Sequence, residues 1–396
     1  MIMPSGQLDS RIDWESEKAF DRPSGPEKRL FGGVINPVTR AASNVEWTDR
    51  ARVADLRGLI SLQLRVPSIL MSRTMSDEGL DLKGCRVLVT GAGGFLGSHV
   101  VETLKARGVS EVLMPTRDAC NLVKPDEVQA FFEIQRPEVV VHLAAAQGGV
   151  AWQKANQATA FLDNARMMES IVLASLETNV KRLLFTASSI CYPRGAAIPF
   201  QENTLWDGPP EPAHLGYAQA KRGGIALLQA AHQQHGLSSC VLMPANMYGP
   251  RARFDPDRSN VVAATIRRCM EARDRGDDSI TCWGSGTPIR EFLYVEDAAE
   301  GVLRALQQEG SEPAPMNLGT GVETTIAELV EMVAELVGFK GSIRWDRDRP
   351  DGAPRVCMAV DRMQERLAWM PSTSLAEGLQ RTISWWESAR LQEADA

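Results

Sequence analysis

The sequence lacks most of what would send a chain to a membrane, a secretory route or a metal site. It holds no uninterrupted run of ~18 apolar residues, the length that a spanning helix needs. The nearest candidate, Gly58–Met71, is broken by Gln63, Arg65 and Pro67. The N-terminus carries acidic residues and no apolar stretch behind a basic flank, unlike a secretory signal. The seven cysteines (Cys85, Cys120, Cys191, Cys240, Cys269, Cys282 and Cys357) stand singly, in an odd count. They form no CxxC pair and no Cys/His metal spacing, and the five histidines add none, so no metal is expected. A net charge of −7 argues against a surface built to grip nucleic acid. Glycine and proline are neither frequent nor periodic enough for collagen-like or low-complexity sequence. What is there is an ordinary reduced, cytoplasmic enzyme composition. It is 44% apolar and 23% charged over 396 residues, enough for one large core or two smaller ones.

The chain divides near residue 80. Residues 1–80 are punctuated by Pro4, Pro23, Pro26, Pro37 and Pro67 and carry scattered charges of both signs. They read as a partly disordered extension with one docked amphipathic helix over 49–65, where Val53, Leu56, Ile60 and Leu64 recur at helical spacing. The alternative expectation is that natural translation begins at Met71 or Met75. From residue 81 the pattern alternates. Strands are expected at Arg86–Thr90, Glu111–Met114, Glu138–Leu143, Arg182–Ala187 and Ser238–Met243. Helices are expected from the first glycine-rich turn to Arg107, then over Pro125–Gln135, 156–178 and 217–235. This alternation predicts an α/β fold, a Rossmann-type doubly wound parallel sheet over 81–245 with right-handed crossovers. Beyond it, helices near 259–273, 295–307 and 324–337 mix with short strands. They predict a smaller mixed α/β C-terminal substrate lobe over 246–390, with about 291–321 returning to the first domain.

Gly91-Ala92-Gly93-Gly94-Phe95-Leu96-Gly97 follows the first strand and opens a helix. Gly91 permits the tight turn, Gly94 lets backbone approach a pyrophosphate, and Gly97 allows close helix–sheet packing. The helix N-terminus supplies amide donors and a positive dipole. A glycine triplet alone is weak; in its strand–turn–helix setting it reads as a dinucleotide site. The second strand ends Leu113-Met114-Pro115-Thr116-Arg117-Asp118, without the acid that would accept a ribose 2′-hydroxyl. Arg117 suits a charge-assisted bidentate pair with a 2′-phosphate, which favours NADP(H) over NAD(H). The other reading is a solvated Arg117 paired with Asp118.

Tyr217-Ala-Gln-Ala-Lys221 places a phenol and an ammonium one helical turn apart on one face. A tyrosine of pKa near ~10 is a poor base, and a neighbouring ammonium favours its phenolate. Such a pair exchanges a proton with a hydroxyl or carbonyl while a nicotinamide exchanges hydride. Ser188 ends the fourth strand, where doubly wound sheets place their sites, and its hydroxyl suits the same oxygen.

This trio resembles the extended short-chain dehydrogenase/reductase family of nucleotide-sugar epimerases, dehydratases and reductases, and within it the GDP-L-fucose synthase branch. The resemblance runs from about 84 to 385. Its specific segments are His142-Leu-Ala-Ala-Ala-Gln-Gly-Gly149, Ser188-Ser-Ile-Cys-Tyr-Pro193, Pro244-Ala-Asn-Met-Tyr-Gly-Pro250, Trp283-Gly-Ser-Gly-Thr-Pro-Ile-Arg-Glu-Phe292 and Pro350-Asp-Gly-Ala-Pro-Arg355. It implies that Ser188, Tyr217 and Lys221 carry hydride chemistry. It implies cofactor contacts from Gly91, Gly94, Phe95, Leu96, Gly97, Arg117, Asn121, Leu122, Leu143, Ala144, Ala145 and Lys221. Asn246, Asn260, Trp283, Arg290 and Arg349 fall where the family binds its nucleotide sugar, Arg349 in place of a usual lysine. Arg290 also suits a diphosphate on chemical grounds; the bland reading of Trp283 is core packing. A homodimer through the helices at 156–178 and 217–235 is implied as well.

The pattern departs from that branch at two positions. Fucose synthases carry a Cys and a His that invert C3 and C5. Here those positions are Ile190 and Asn260, with a cysteine one place late at Cys191. On an extended segment Cys191 would face away from the substrate. A positioned acid or base contributes roughly 10²–10⁴-fold, so the expectation is hydride chemistry without that inversion. The favoured reading is an NADP(H)-dependent reductase at C4 of a nucleotide-linked (GDP) 4-keto-6-deoxy sugar or heptose. The alternatives are a redox-neutral epimerase with tightly held NAD, a full 3,5-epimerase/4-reductase, and a non-catalytic nucleotide sensor. The expected partner is a nucleotide sugar, with no nucleic acid and no membrane. Among the histidines, only His214, just ahead of Tyr217, stands near the site.

Overall fold

The computed structural model describes residues 79–394, apart from Asp257, Arg258, Glu309 and Ser311. The helix expected over 49–65 lies outside the described residues. β1 (Arg86–Thr90) leads into α1 (Phe95–Ala106), and β2 (Glu111–Leu113) into α2 (Pro125–Gln135). β3 (Val139–His142) leads into the short α3 (Val150–Ala155) and the long α4 (Gln157–Glu177). After β4 (Arg182–Thr186) come three 3-10 turns, Ser189–Cys191, Glu202–Thr204 and Pro212–His214, then α5 (Leu215–His235) and β5 (Ser239–Pro244). The chain then builds β6 (Asn246–Tyr248), α6 (Val261–Arg275), β7 (Ser279–Trp283), β8 (Ile289–Arg290), β9 (Phe292–Tyr294) and α7 (Val295–Gln307). β10 (Pro315–Leu318), β11 (Thr324–Thr325), α8 (Ile326–Val337), β12 (Ser342–Asp346), α9 (Asp361–Leu367) and α10 (Leu375–Ala394) follow.

Six strands form one parallel sheet in the order β10-β5-β4-β3-β1-β2. It is the Rossmann-like α/β fold. The order reverses at β1, with β2 on one side and β3 on the other. The crevice above the carboxyl ends of such strands is where a doubly wound sheet receives its ligand. The central strands are apolar in consecutive residues because helices cover both faces. Val87, Leu88 and Val89, Val139–Val141, and Leu183–Leu184 are all at most 1% exposed.

The smaller lobe pairs β6 with β9 and β7 with β12 in parallel, and β8 with β11 antiparallel. Its own core gathers Tyr248, Ile266, Cys269, Val330, Val333 and Leu379, with Phe254 stacked on Trp386. Thr325 and Glu328 close a reciprocal capping box on α8.

Two buried polar clamps tie this lobe to the sheet. Glu291, 1% exposed, accepts the backbone N–H groups of Thr320, Gly321 and Met358 at 2.5, 2.8 and 2.7 Å. Burial pushes its carboxyl pKa up while the three donors oppose the shift. Asn317 of β10 receives the Tyr192 hydroxyl at 2.7 Å and donates to the carbonyls of Phe200 and Ala359. The Asn317 N–H goes to Glu202. No helix among the described residues is long and apolar enough to cross a membrane. No metal-ligating cluster occurs among them either.

Candidate active site

A cavity of about 640 Å³ opens at the crevice over β1 and β3. Of the residues expected at a cofactor, Gly91, Gly94, Arg117, Asn121, Leu122, Ala144 and Ala145 line it. Gly91 has φ +70, and a Cβ there would lie 2.9 Å from Ala144 N. A Cβ on Gly97 would lie 2.1 Å from Gly91 O, so Gly97 serves the helix–strand approach from behind. Phe95, Leu96, Leu143 and Lys221 do not line this cavity. Leu96 and Leu143 pack on the core, and Phe95 sets its ring edge to His99 at 6.2 Å. The bare glycine turn at the N-terminus of α1 and the cavity it lines fit a dinucleotide. Arg117 is exposed at the rim and forms no ion pair with Asp118 or any other described residue. Met114, Cys120, Asp163 and Met167 also line the cavity. Asp163 and Met167 were not expected, because no local pattern announces which side chains of α4 reach the cavity.

The second strand stops at Leu113, which frees Met114 to turn into this rim. Below it the strand ends are bonded to each other. Thr90 Oγ1 and His142 Nδ1 share a hydrogen at 2.8 Å, and Thr186 Oγ1 donates to His142 O at 3.3 Å. Burial, then the Lys221 charge, lowers the His142 pKa to about 3, so the ring is neutral.

Tyr217 and Lys221 occupy the first turns of α5, facing the end of β4. The Lys221 ammonium donates to Thr186 O at 2.9 Å. It lies 4.6 Å from the Phe185 ring centre and 5.6 Å from that of Tyr217. Ser188, two residues beyond Thr186, caps the following 3-10 turn by accepting from Ile190 N. Tyr217 and Lys221 thus face the end of β4 from α5, and Ser188 lies just beyond that strand rather than on it. Tyr217 is buried, which raises its pKa well above the ordinary phenol value. Burial lowers Lys221 from 10.5 to about 8.

The expected extended geometry at Cys191 is corrected. Ser189–Cys191 is a 3-10 turn, not an extended segment. Cys191 is nevertheless fully buried, donates weakly to Ala218 O at 3.7 Å, and has its thiol pKa pushed up to about 11 by burial. Arg222, which sequence reading passed over, holds this turn. Its Nε donates to Cys191 O at 2.7 Å and its Nη1 to Gly208 O at 2.8 Å. An arginine next to a YxxxK lysine carries no signal of such a use.

The residues expected at a nucleotide sugar lie around the smaller lobe. Trp283 is 65% exposed, so it is not core, and the Arg349 guanidinium stands 5.1 Å over its ring centre. Arg290, on β8, is half-buried; burial lowers its pKa and Asp351 opposes this. The Asp351 carboxylate accepts the Ser285 N–H and hydroxyl at 2.6 and 2.8 Å. Gly284, at φ +80, passes so close to Asp351 that a Cβ would clash, which sets the loop between Trp283 and Arg290. Asn246 donates to Glu291 O at 3.3 Å. Asn260 is the N-cap of α6, accepting from Ala263 N at 3.0 Å and donating to Met247 O at 3.1 Å. Ile190 is half-buried.

Comparison with known proteins gives a consistent set of likenesses. The family model described as the NAD dependent epimerase/dehydratase family matches residues 87–319. The chain is 39% identical over 305 residues to a probable GDP-L-fucose synthase 1 of Oryza sativa subsp. japonica, covering 77% of this chain and 92% of that protein. It is 36% identical over 309 residues to the GDP-L-fucose synthase of Escherichia coli (strain K12), covering 76% and 96% respectively. Among solved structures, a GDP-mannoheptose C4 reductase from Campylobacter jejuni with NADP bound superposes with a TM-score of 0.70 at 25% identity. That match covers 78% of this chain and 100% of the other.

The Lys221 shift has a thermodynamic consequence. Below pH 8 both folded and unfolded chains carry the proton, and its burial costs the folded state roughly 3 kcal/mol. Between about 8 and 10.5 the unfolded chain binds more protons at this site than the folded one, so the contribution to stability rises with pH. Urea unfolding of Lys221→Met beside the wild type is expected to show the variant ahead at pH 7 and the gap shrinking by pH 10. A gap independent of pH would contradict the depressed value.

Proposed function

The chain belongs to the NAD dependent epimerase/dehydratase family, and on that premise we propose that it is an NADP(H)-dependent reductase. Its substrate is a GDP-linked 4-keto-6-deoxy sugar or heptose, reduced at C4. The coarser statement, an NAD(P)-dependent nucleotide-sugar enzyme, follows from the family and its relatives. One observation carries the finer reading. The Ser188, Tyr217 and Lys221 positions are intact, while the two positions that would trade protons at C3 and C5 hold Ile190 and Asn260. Ile190 has no proton to move, and the Asn260 amide is engaged as a helix cap. The names of the relatives support a GDP-linked substrate.

A bound nicotinamide supplies the hydride. Burial keeps the Tyr217 phenol protonated, which suits it to give a proton in the reducing direction. With a dinucleotide held at the Gly91–Gly97 turn, NADPH would supply hydride to C4 on going to NADP⁺, and Tyr217 would give its proton to O4, turning the ketone into an alcohol. The Ser188 hydroxyl donates to the same oxygen, and the Lys221 ammonium stabilises the phenolate left behind. Arg117 takes the 2′-phosphate. Trp283 and Arg349 present a flat cationic platform, and Arg290 a fork for the diphosphate. Asn246, at the start of β6, and Asn260, the N-cap of α6, complete the sugar side. The seven unpaired cysteines fit a reducing, cytoplasmic setting.

The chain is further proposed to form a homodimer through α4 and α5, which pack on each other. Leu162 and Leu173 lie exposed on one stripe of α4, and Leu227 is exposed beside Gly223 and Ala230 on α5. An apolar face of this kind is buried most simply by a second copy about a two-fold axis.

Incubation with GDP-4-keto-6-deoxymannose is expected to consume one NADPH per sugar reduced. Tyr217→Phe should lower the rate by roughly 10²–10⁴-fold and leave NADPH affinity unchanged. Sugar conversion with no net NADPH oxidation would replace this reading with redox-neutral epimerisation. Arg117→Ala is expected to weaken NADPH binding by about 10- to 100-fold and leave NADH binding as it was; equal loss of both would remove Arg117 from phosphate recognition. Sedimentation should give a dimer for the wild type and a monomer for Leu173→Glu combined with Leu227→Glu. A monomeric wild type would reject the interface.

A further inference from the structure

Asp163 of α4 lines the cavity at the glycine turn, and nothing described so far uses its carboxylate. It is half-buried and forms no hydrogen bond or ion pair with any described residue. Its buried neighbour Asn164 fixes where it stands. Asn164 Oδ1 accepts the Ala146 N–H at 3.1 Å, and Asn164 Nδ2 donates to Ala146 O at 2.9 Å. Ala146 belongs to the segment after β3 that lines the same cavity. This reciprocal pair of bonds holds α4 against the cavity wall. Met167, one helical turn past Asp163, also lines the cavity, so both side chains reach it from one face of α4.

The lining identifies which part of a dinucleotide the cavity suits. Gly91–Gly94 offer the pyrophosphate turn, and Pro115–Arg117 form the rim past the end of β2, where the ribose 2′ substituent is read. Ser188, Tyr217 and Lys221, the residues expected at the nicotinamide, do not line it. The cavity therefore suits the adenosine half. A carboxylate only accepts hydrogen bonds. The adenosine half of NADP(H) carries two groups that donate them, the ribose 3′-hydroxyl and the adenine 6-amino group. The 3′-hydroxyl adjoins the 2′-phosphate, whose charge repels a carboxylate. Adenine is flat with apolar faces, and Leu122, Val123 and Met167 give the cavity an apolar wall. A ring lying on Met167 presents its edge one turn along α4, at Asp163.

We propose that Asp163 accepts a hydrogen bond from the adenine 6-amino group of the cofactor, so that α4 selects the base of the dinucleotide. The assignment rests on the reading of this cavity as a dinucleotide site and deepens it by one specificity-determining residue.

The test is calorimetric titration with NADP⁺ and with its hypoxanthine analogue, in which a carbonyl oxygen replaces the 6-amino group. The wild type is expected to bind NADP⁺ about tenfold more tightly than the analogue. Asp163→Ala should lose about tenfold in NADP⁺ affinity and bind the analogue no more weakly than the wild type does. Asp163→Asn, whose amide both donates and accepts, should bind the two about equally and the analogue more tightly than the wild type does. A structural role, or a contact to the ribose, moves both ligands together. Equal losses for the two ligands, a preference unchanged in both variants, or a wild type without preference would overturn the assignment. Failure of the dinucleotide reading is seen separately, as a wild type that binds neither NADP⁺ nor NAD⁺, and the assignment would fall with it.

Discussion

The Lys221 ammonium sits in the middle of the fold, 2% exposed, and donates to the Thr186 carbonyl at 2.9 Å. A buried ammonium without a partner is costly, and this bond offsets part of that cost. It draws the first turns of α5 against the carboxyl end of β4. Tyr217, one turn earlier, follows, and Ser188 lies two residues further along the strand end. Through Thr186, His142 and Thr90 the same cation reaches the ends of β3 and β1, where the glycine turn begins. His142 stays neutral beside it, so the charge is not diluted by a second one.

The proposed sugar side of the site depends on a different kind of constraint. Trp283, Arg290 and Arg349 come from separate segments, and none touches the sheet directly. Two carboxylates, buried Glu291 and exposed Asp351, give them a fixed frame. Glu291 gathers three backbone N–H groups from the loops after β10 and before α9, and Asp351 closes the loop that begins at Trp283. A carboxylate surrounded by backbone donors is specific in direction and distance, which suits loops that carry no core of their own.

The periodic part of the architecture was legible in advance. Pro125–Gln135 is the helix expected, as is 295–307, because proline at a first turn, and an apolar stripe at helical spacing, are local signals. The glycine turn was legible for the same reason. Cys191 was less so. Its burial was expected, but from an extended strand, and the chain instead turns as a 3-10 helix held by Arg222 from α5. No sequence window contains both ends of that contact. Trp283 illustrates the reverse. Its composition suits a core, yet it is 65% exposed under the Arg349 guanidinium.

What the sequence determined by itself is whatever depends on residues near one another along the chain. The strand–helix alternation, the Gly91–Gly97 turn, the Tyr217–Lys221 spacing and the absence of acid/base groups at Ile190 and Asn260 are all of that kind. Only the tertiary structure decided what depends on distant residues meeting. It placed Asp163 and Met167 at the cavity over β1 and β3 and engaged Asn260 as a cap. It also set Arg349 over Trp283 and left Gln153 Oε1 and His214 Nδ1 buried without a hydrogen-bond partner among the described residues. Local periodicity is written in a few consecutive residues. Burial and hydrogen-bond satisfaction are properties of the packed chain, and they exist only once the sheet has brought its loops together.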